Sequence, residues 1–538
     1  MSAAGKHHHR SRGVTLILSM IFVLVFSALA VSLAALSGAN VQVASNQHKL
    51  NTALLAAQSG LECAKYIVHT VSLGETNMNQ VTDAQANQVW NTLCSYAQNQ
   101  ALDGKTVSYD ANELTIQGMT CDGGTVTFDM RFCRDASNPR TIHLESTGAN
   151  GGATRKVGIT MAITKDREVL TYAIASRGRM WLTGNTTIHG DLYSSWNRPE
   201  ISPFNMTSDS KVLGTINTVL DLEDILAEGY QLETLDANGL PFDTDGNPLG
   251  TNYADRYYSP DDEIQAYHEG INYGQPQGTD VPGMSISDYN TDCYTSGLTE
   301  IPSCPTANRV TEYFPHAAGN YAAPQSSSSL KLTRHVYENM TFTNASLPRG
   351  RQALFRNCTF NGILYIDCSP TSTSQTSYTN NVRFQDCTFN GVIVTETPQP
   401  FNWQRNCLYF TGAATFNNQS AIQEATILAP HFNVNLGNTN PQQSDNNVLT
   451  GAIVGGIVDV RGNAQIYGTI ISMFDTTPYS SGYVTNIGAT LDDGGSETTE
   501  LGDIGVISIT PDEDTMLPSG ITSPIVIKPD QSTYTESV

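Results

Sequence analysis

Reactive side chains are sparse in this chain of 538 residues, and they do not gather into an obvious set. The acids Asp367, Asp386, Glu396 and Asp459 share one stretch with Arg356, Arg383 and Arg461. Acids paired on one open face would suit glycosidic-bond cleavage, where one carboxyl donates a proton and its partner acts as base or nucleophile. Here they are spread along the sequence, and Asp386 alternates with Asn357 in a repeat. Cys358 and Cys387 have no accompanying histidine, so they make no zinc set, and their repeat positions read as core. Asp243-Thr-Asp-Gly-Asn247 opens like a calcium loop. Pro248 and Ala254 stand where such a loop needs Gly and Glu, which leaves an Asp-Gly turn. His189, His268, His316, His335 and His431 read as surface or packing residues. No phosphate loop, nucleophile elbow or zinc motif is present. The expectation is a protein with no catalytic residue, cofactor or metal.

Composition narrows the class. Only 15% of residues are charged and the formal net charge is −23. That balance argues against nucleic acid as a partner, because phosphate binding needs clustered Lys and Arg. Abundant Gly, Ser, Thr and Asn suit a β-rich, loop-rich exported protein. The length implies two or more structured units. All ten cysteines follow the apolar N-terminal run described next. If that part is exported, bridges are permitted. Cys121 with Cys133, Cys63 with Cys94, and Cys293 with Cys304 are open as pairs, beside separate buried thiols.

The N-terminus has the strongest pattern. Lys6, Arg10 and Arg12 precede Gly13, and no Asp, Glu, Lys or Arg occurs from Val14 to His48. The run Val14 to Ala39 makes a helix of about 39 Å, long enough for a bilayer core. Basic residues before it place the leader in the cytoplasm and everything downstream outside. A signal peptide cleaved near Ala28-Leu29-Ala30, a plain single-pass anchor and a processed anchor all fit this run. Beyond it, Leu50, Leu54, Ala57, Leu61, Ala64 and Val68 form one apolar seam on a continuing helix. A cleaved signal peptide has no reason to run into such a seam.

Arg12-Gly13-Val14-Thr15-Leu16-Ile17-Leu18 resembles the prepilin cleavage motif, and Ala53 to Glu62 resembles the N-terminal region of PilX-type minor pilins. The resemblance implies cleavage after Gly13 by a prepilin peptidase and Val14 as an N-methylated first residue. It also implies other pilin or pseudopilin subunits and the inner membrane as partners. Two positions depart from the family pattern. Val14 replaces the usual Phe, and Leu18 stands where a glutamate normally neutralises a neighbour's N-terminal amine. The latter departure favours a minor or tip role over a repeating subunit.

The remainder reads as a mainly β protein behind a long N-terminal α-helix. Residues 1–13 form the leader and 14–69 the two-part helix. A small α+β pilin-like head follows over 70–167, with a polar helix over 80–100 and an antiparallel meander joined by the Gly148 to Gly152 turn. Internal repeats then dominate. Phe355-Arg-Asn-Cys-Thr-Phe-Asn-Gly362 recurs as Phe384-Gln-Asp-Cys-Thr-Phe-Asn-Gly391. Degenerate copies sit at Asn339 to Phe342 and Asn406 to Tyr409. Coils of a parallel β-helix (solenoid) over 168–475 would explain this, since each coil covers the apolar side chains of the one before. Gly184 to Ser194 resembles Gly462 to Ser472, so coils of one type stand at both ends. A loop-rich insertion over about 196–335 carries an expected helix from Ile216 to Leu226. Residues 476–538 read as an acidic tail with short strands over 504–509 and 521–527 and a disordered end. Tyr193, Trp181, Trp196 and Trp403 are candidate stacking platforms for extracellular polysaccharide, or packing residues. The functional expectation is a minor or tip pilin-like protein displaying the solenoid for adhesion, located in the inner membrane with its C-terminal part in the periplasm, or at the cell surface in a filament. The alternative is a membrane-anchored carbohydrate-active or carbohydrate-binding β-helix.

Overall fold

A computed structural model describes residues 12–71, 73–100, 105–121, 124–206, 210–228, 268–275, 289–313, 331–368, 380–396, 406–412, 414–417, 424–437, 448–475, 484–488, 504–512 and 515–537. Lys6 and Arg10 of the leader, the Asp243 to Asn247 turn, His316 and Trp403 lie outside the described residues. The chain divides into two units. One comprises Met1–Leu73, Thr82–Thr164 and Val526–Val538, and the other Gly74–Val81 and Lys165–Ile525.

In the first unit, α1 (Arg12–Thr70) is a single helix of 59 residues. With no proline and many Ala and Leu, nothing breaks it. Its second half buries Ala57, Leu61, Ala64 and Val68 of the apolar seam, and Ala53 and Ala56 beside them. Gly60 is also buried. A second helix, α2 (Asp83–Asn99), opens on a capping box between Thr82 and Gln85 and buries Val89, Trp90 and Leu93. Five antiparallel strands follow: β1 (Thr106–Tyr109), β2 (Glu113–Cys121), β3 (Val126–Arg134), β4 (Thr141–Asn150) and β5 (Ala153–Lys165). Alternation in β3 turns Val126, Phe128, Met130 and Phe132 inward. Small residues let α1 lie close on β4. A Cβ added to Gly148 would fall 2.1 Å from the Ala53 carbonyl oxygen. Gly148 therefore belongs to the strand, and the turn itself uses Gly151 and Gly152 at φ of 55° and 89°.

One expectation for this region is corrected, and one left open is resolved. The chain end is ordered, because Ser523–Ser537 forms a strand beside β5. Thr533 Oγ1 accepts from the Thr160 amide at 2.8 Å, and Gln58 Nε2 donates to the Tyr534 hydroxyl at 3.4 Å. Ile525 and Ile527 are buried in the first half of this strand, and hydrogen bonds at the sheet edge hold the polar remainder. The cysteines are all free. Cys121 pairs across with Val126, seven residues along β3 from Cys133, so the two thiols are about 20 Å apart. Cys63 is exposed while Cys94 is buried, and Cys293 is exposed while Cys304 is buried.

The second unit is built from parallel ladders. Thr341–Leu347 pairs with Thr359–Ile366, which pairs with Thr388–Thr395, Phe342 facing Phe360 and Phe360 facing Phe389. A neighbouring ladder carries Phe355 against Phe384 and Phe384 against Phe410. These rings stack at 5.4 and 5.1 Å between centroids, with edge contacts to Phe360 and Phe389 between them. The corner before each Thr-Phe pair turns on Asn339, Asn357 and Asp386, all at φ between 48° and 55°. Asn and Asp tolerate that left-handed conformation best among residues with a Cβ. Register corrects one repeat. Asn406 to Tyr409 is not the next copy of the Thr-Phe corner, because Thr415-Phe416 pairs with Thr388-Phe389.

The chain enters this unit against its own exit. Tyr172–Ser176, Arg179–Leu182 and Thr186–Ile188 pair in parallel with Ile470–Ser472, Val484–Ile487 and Ile507–Ile509. The two similar segments at either end of the sequence repeat are thus near neighbours, and the ladders continue to Thr510. The expected helix from Ile216 is shorter. Ile216–Thr218 is a strand pairing with Leu192–Ser194, and only Leu222–Ala227 is helical.

Candidate functional site

The first half of α1 is an exposed apolar rod. Val14 is 64% exposed and Leu18 53%. An 18-residue window within the helix averages a hydropathy of 2.8 and none of it is buried. Soluble surfaces do not carry apolar area on this scale without a partner. Bilayer lipid or neighbouring helices are the media such a rod fits. The described helix begins at Arg12, so Gly13 and Val14 lie in its first turn. Leu18 projects an alkyl group with no charge to offer a neighbour's amine.

The acids considered for catalysis do not converge among the described residues. Asp386 occupies a corner at φ 55°. Glu396 accepts a short hydrogen bond from the Tyr365 hydroxyl. Burial, with the Glu396 carboxylate beside it, pushes the Tyr365 phenol far above its ordinary range. Asp459 is buried against Arg461, with Nε to Oδ2 at 3.1 Å. Arg356 reaches Glu338 at 2.9 Å and Gln385 at 3.3 Å. Burial raises the Cys407 thiol to about 12 and, as the larger cause, that of Cys94 to about 11. Protonated, enclosed thiols are poor nucleophiles.

Register does assemble a column that sequence spacing hides. Arg383, Tyr409, Asn435, Asp459, Asn486 and Trp181 fall on successive rungs of one ladder. The first five are at most 6% exposed, so they form an enclosed polar ladder rather than an open groove. No local motif reveals it, because the last step returns from residue 486 to residue 181. Of the aromatic platforms, Tyr193 and Trp196 are buried and serve packing. Trp196 Nε1 donates to the carbonyls of Arg198 and Ile201 at 2.9 and 3.0 Å. Trp181 is half-buried.

Comparison with known proteins agrees with the rod. Residues 12–62 match the family described as PilX N-terminal. That stretch covers the exposed half of α1 and its first buried turns. No curated protein sequence matches the chain. Among solved structures, the competence-associated pilin ComZ from Thermus thermophilus aligns over 91% of this chain and 97% of its own, at 11% identity and a TM-score of 0.25. A likeness that slight carries no argument. The N-terminal segment is similar to those of PilX-type pilins, and it fits a single-pass membrane anchor.

Proposed function

We propose that this chain is a minor or tip pilin-like protein of a type IV filament or related secretion system, with a structural rather than enzymatic role. The observation that carries it is the two-part α1: an exposed apolar half, then a buried small-residue half, with the PilX N-terminal match across both. Prepilin peptidase removes the leader after Gly13, and Val14 becomes the first residue. The exposed half then sits in the inner membrane or among the helices of other pilin or pseudopilin subunits. Leu18 supplies no carboxylate there, which suits an end position better than a repeating one.

The second unit is a parallel β-helix displayed for surface contact. Its support is the in-register stacking of Phe342, Phe360 and Phe389 and of Phe355, Phe384 and Phe410. Identical side chains at one rung position are what coil-on-coil stacking produces. Sequencing the N-terminus of the protein isolated from membranes tests the anchor. The expected start is Val14. An intact Met1, or a start near Val31, would sink the pilin-like reading.

A further inference from the structure

One outer face of the solenoid has the chemistry of a contact surface, and its assignment rests on the display reading above. Thr341, Thr359, Thr388 and Thr415 share one column across four rungs. Two residues on, Thr343, Asn361 and Asn390 share the next. Between the columns, Phe342, Phe360, Phe389 and Phe416 turn inward and stack at 5.4, 5.2 and 4.9 Å. Strand alternation therefore turns the Thr and Asn side chains outward. Thr341 and Thr343 are exposed and the others partly so.

The amides are held in one orientation. Asn390 Nδ2 donates to Asn361 Oδ1 at 2.8 Å, and Asn417 Nδ2 donates to Asn390 Oδ1 at 2.7 Å. Each ordered amide keeps further donor and acceptor capacity for a ligand. The ladder spans about 14 Å at roughly 4.8 Å per rung. It carries no ionisable group, in a chain with a formal net charge of −23.

A second feature adjoins it. Met340, which directly precedes Thr341, lines a cleft of about 670 Å³ together with Pro302, Arg309, Tyr337, Glu338 and Asn339. That volume lies in the range of small-ligand sites. Glu338 is already paired with Arg356 at 2.9 Å, and the Arg309 guanidinium offers donors to sugar hydroxyls. We propose that the cleft and the Thr/Asn ladder form one binding surface for an uncharged polysaccharide, a terminal ring entering the cleft and the following rings lying along the ladder. Repeated hydroxyls match repeated hydroxyl and amide partners. A polyanion would find no cation on the ladder and would be repelled by the chain as a whole. An extended peptide would need an open strand edge, and every inner rung of this ladder is already paired on both sides.

The test is co-sedimentation of the full-length, detergent-solubilised chain with microcrystalline cellulose, chitin and an insoluble β-glucan. Retention on at least one polymer is expected. Thr388→Lys with Asn390→Lys should lower it at least tenfold. The fold-preserving pair Thr359→Val and Thr388→Val should lower it several-fold, with unchanged circular dichroism. Absence of wild-type retention on all three polymers overturns the inference, as does equal retention of the valine pair. Because the anchor is tested by the Val14 terminus, a correctly processed chain that binds no polymer refutes this surface and leaves the pilin-like reading standing.

Discussion

Gly148→Ala measures how closely α1 is seated on the head sheet. The new methyl would lie 2.1 Å from the Ala53 carbonyl oxygen, 2.5 Å from the Ala57 amide nitrogen and 3.0 Å from the Ala56 methyl. An ordinary carbon–oxygen contact is about 3.4 Å, so the helix must retreat by roughly 1.3 Å. The obstacle is helix backbone, which has no rotamer to escape into. Overpacking of this kind costs about 1–3 kcal/mol, and the upper half of that range is expected here. Alanine recovers about 0.4–1 kcal/mol through the unfolded state. The net expectation is destabilisation by about 2 kcal/mol. Gly60→Ala is the internal control. Its methyl meets Ser146 Oγ at 2.2 Å and Phe128 Cδ2 at 2.5 Å; the serine hydroxyl can turn, while the buried phenyl ring must shift. A gain in helix propensity of about 1 kcal/mol offsets part of the crowding, so a smaller loss of about 1 kcal/mol is expected. Hydrogen exchange at β3 and β4 amides, in the full chain, reads the two free energies. If Gly148→Ala is stabilising, or costs no more than Gly60→Ala, the close seating of α1 on β4 is wrong.

Two further outcomes can be checked. Phe384 is fully buried and touches four rings, those of Phe355, Phe360, Phe389 and Phe410, so Phe384→Ala should cost about 4–5 kcal/mol in chemical denaturation of the second unit; a loss below about 1 kcal/mol would refute the stack. Lys165 is 3% exposed, and its ammonium donates to the carbonyls of Pro518 and Ile521. Burial lowers its pKa from 10.5 to about 8. Between those values the unfolded chain holds the proton more tightly, so stability rises with pH across that window, by at most about 3 kcal/mol. The buried phenols of Tyr289 and Tyr409, raised by burial, act in the opposite sense above about pH 10. The comparison is therefore wild type against Lys165→Met, whose stability–pH curves should diverge over that interval and not run parallel.

The parts legible in the sequence were those encoded locally. An uncharged run from Val14 to His48, a seam of small apolar residues and two near-identical octapeptides each announce themselves within a few dozen positions. The seam was incomplete, because the buried face also takes in Ala53, Ala56 and Gly60, and small residues give a weak periodic signal. What could not be read depends on partners far away in sequence. Ile521 to Ile527 reads as a strand, but the remainder of Ser523–Ser537 is too polar to look like one until β5 offers it an edge. The polar column from Arg383 to Trp181 exists only through rung register. Asn406 to Tyr409 imitates a corner in composition, yet the chain places its corner at Thr415, since a coil's length is free wherever a loop absorbs the difference.

The pairing of entry with exit strands, and of the last strand with β5, has a consequence for biogenesis. A chain threaded outward from its N-terminus presents Tyr172–Ile188 long before Ile470–Thr510 exists to cover one side of it. The sheet containing β5 likewise stays one strand short until Ser523–Ser537 emerges. A chain cut before Ile470 leaves the edges of Tyr172–Ile188 open, and one cut before Ser523 leaves β5 without its neighbour. Open strand edges of that kind are templates for pairing with other chains, so truncation here favours aggregation.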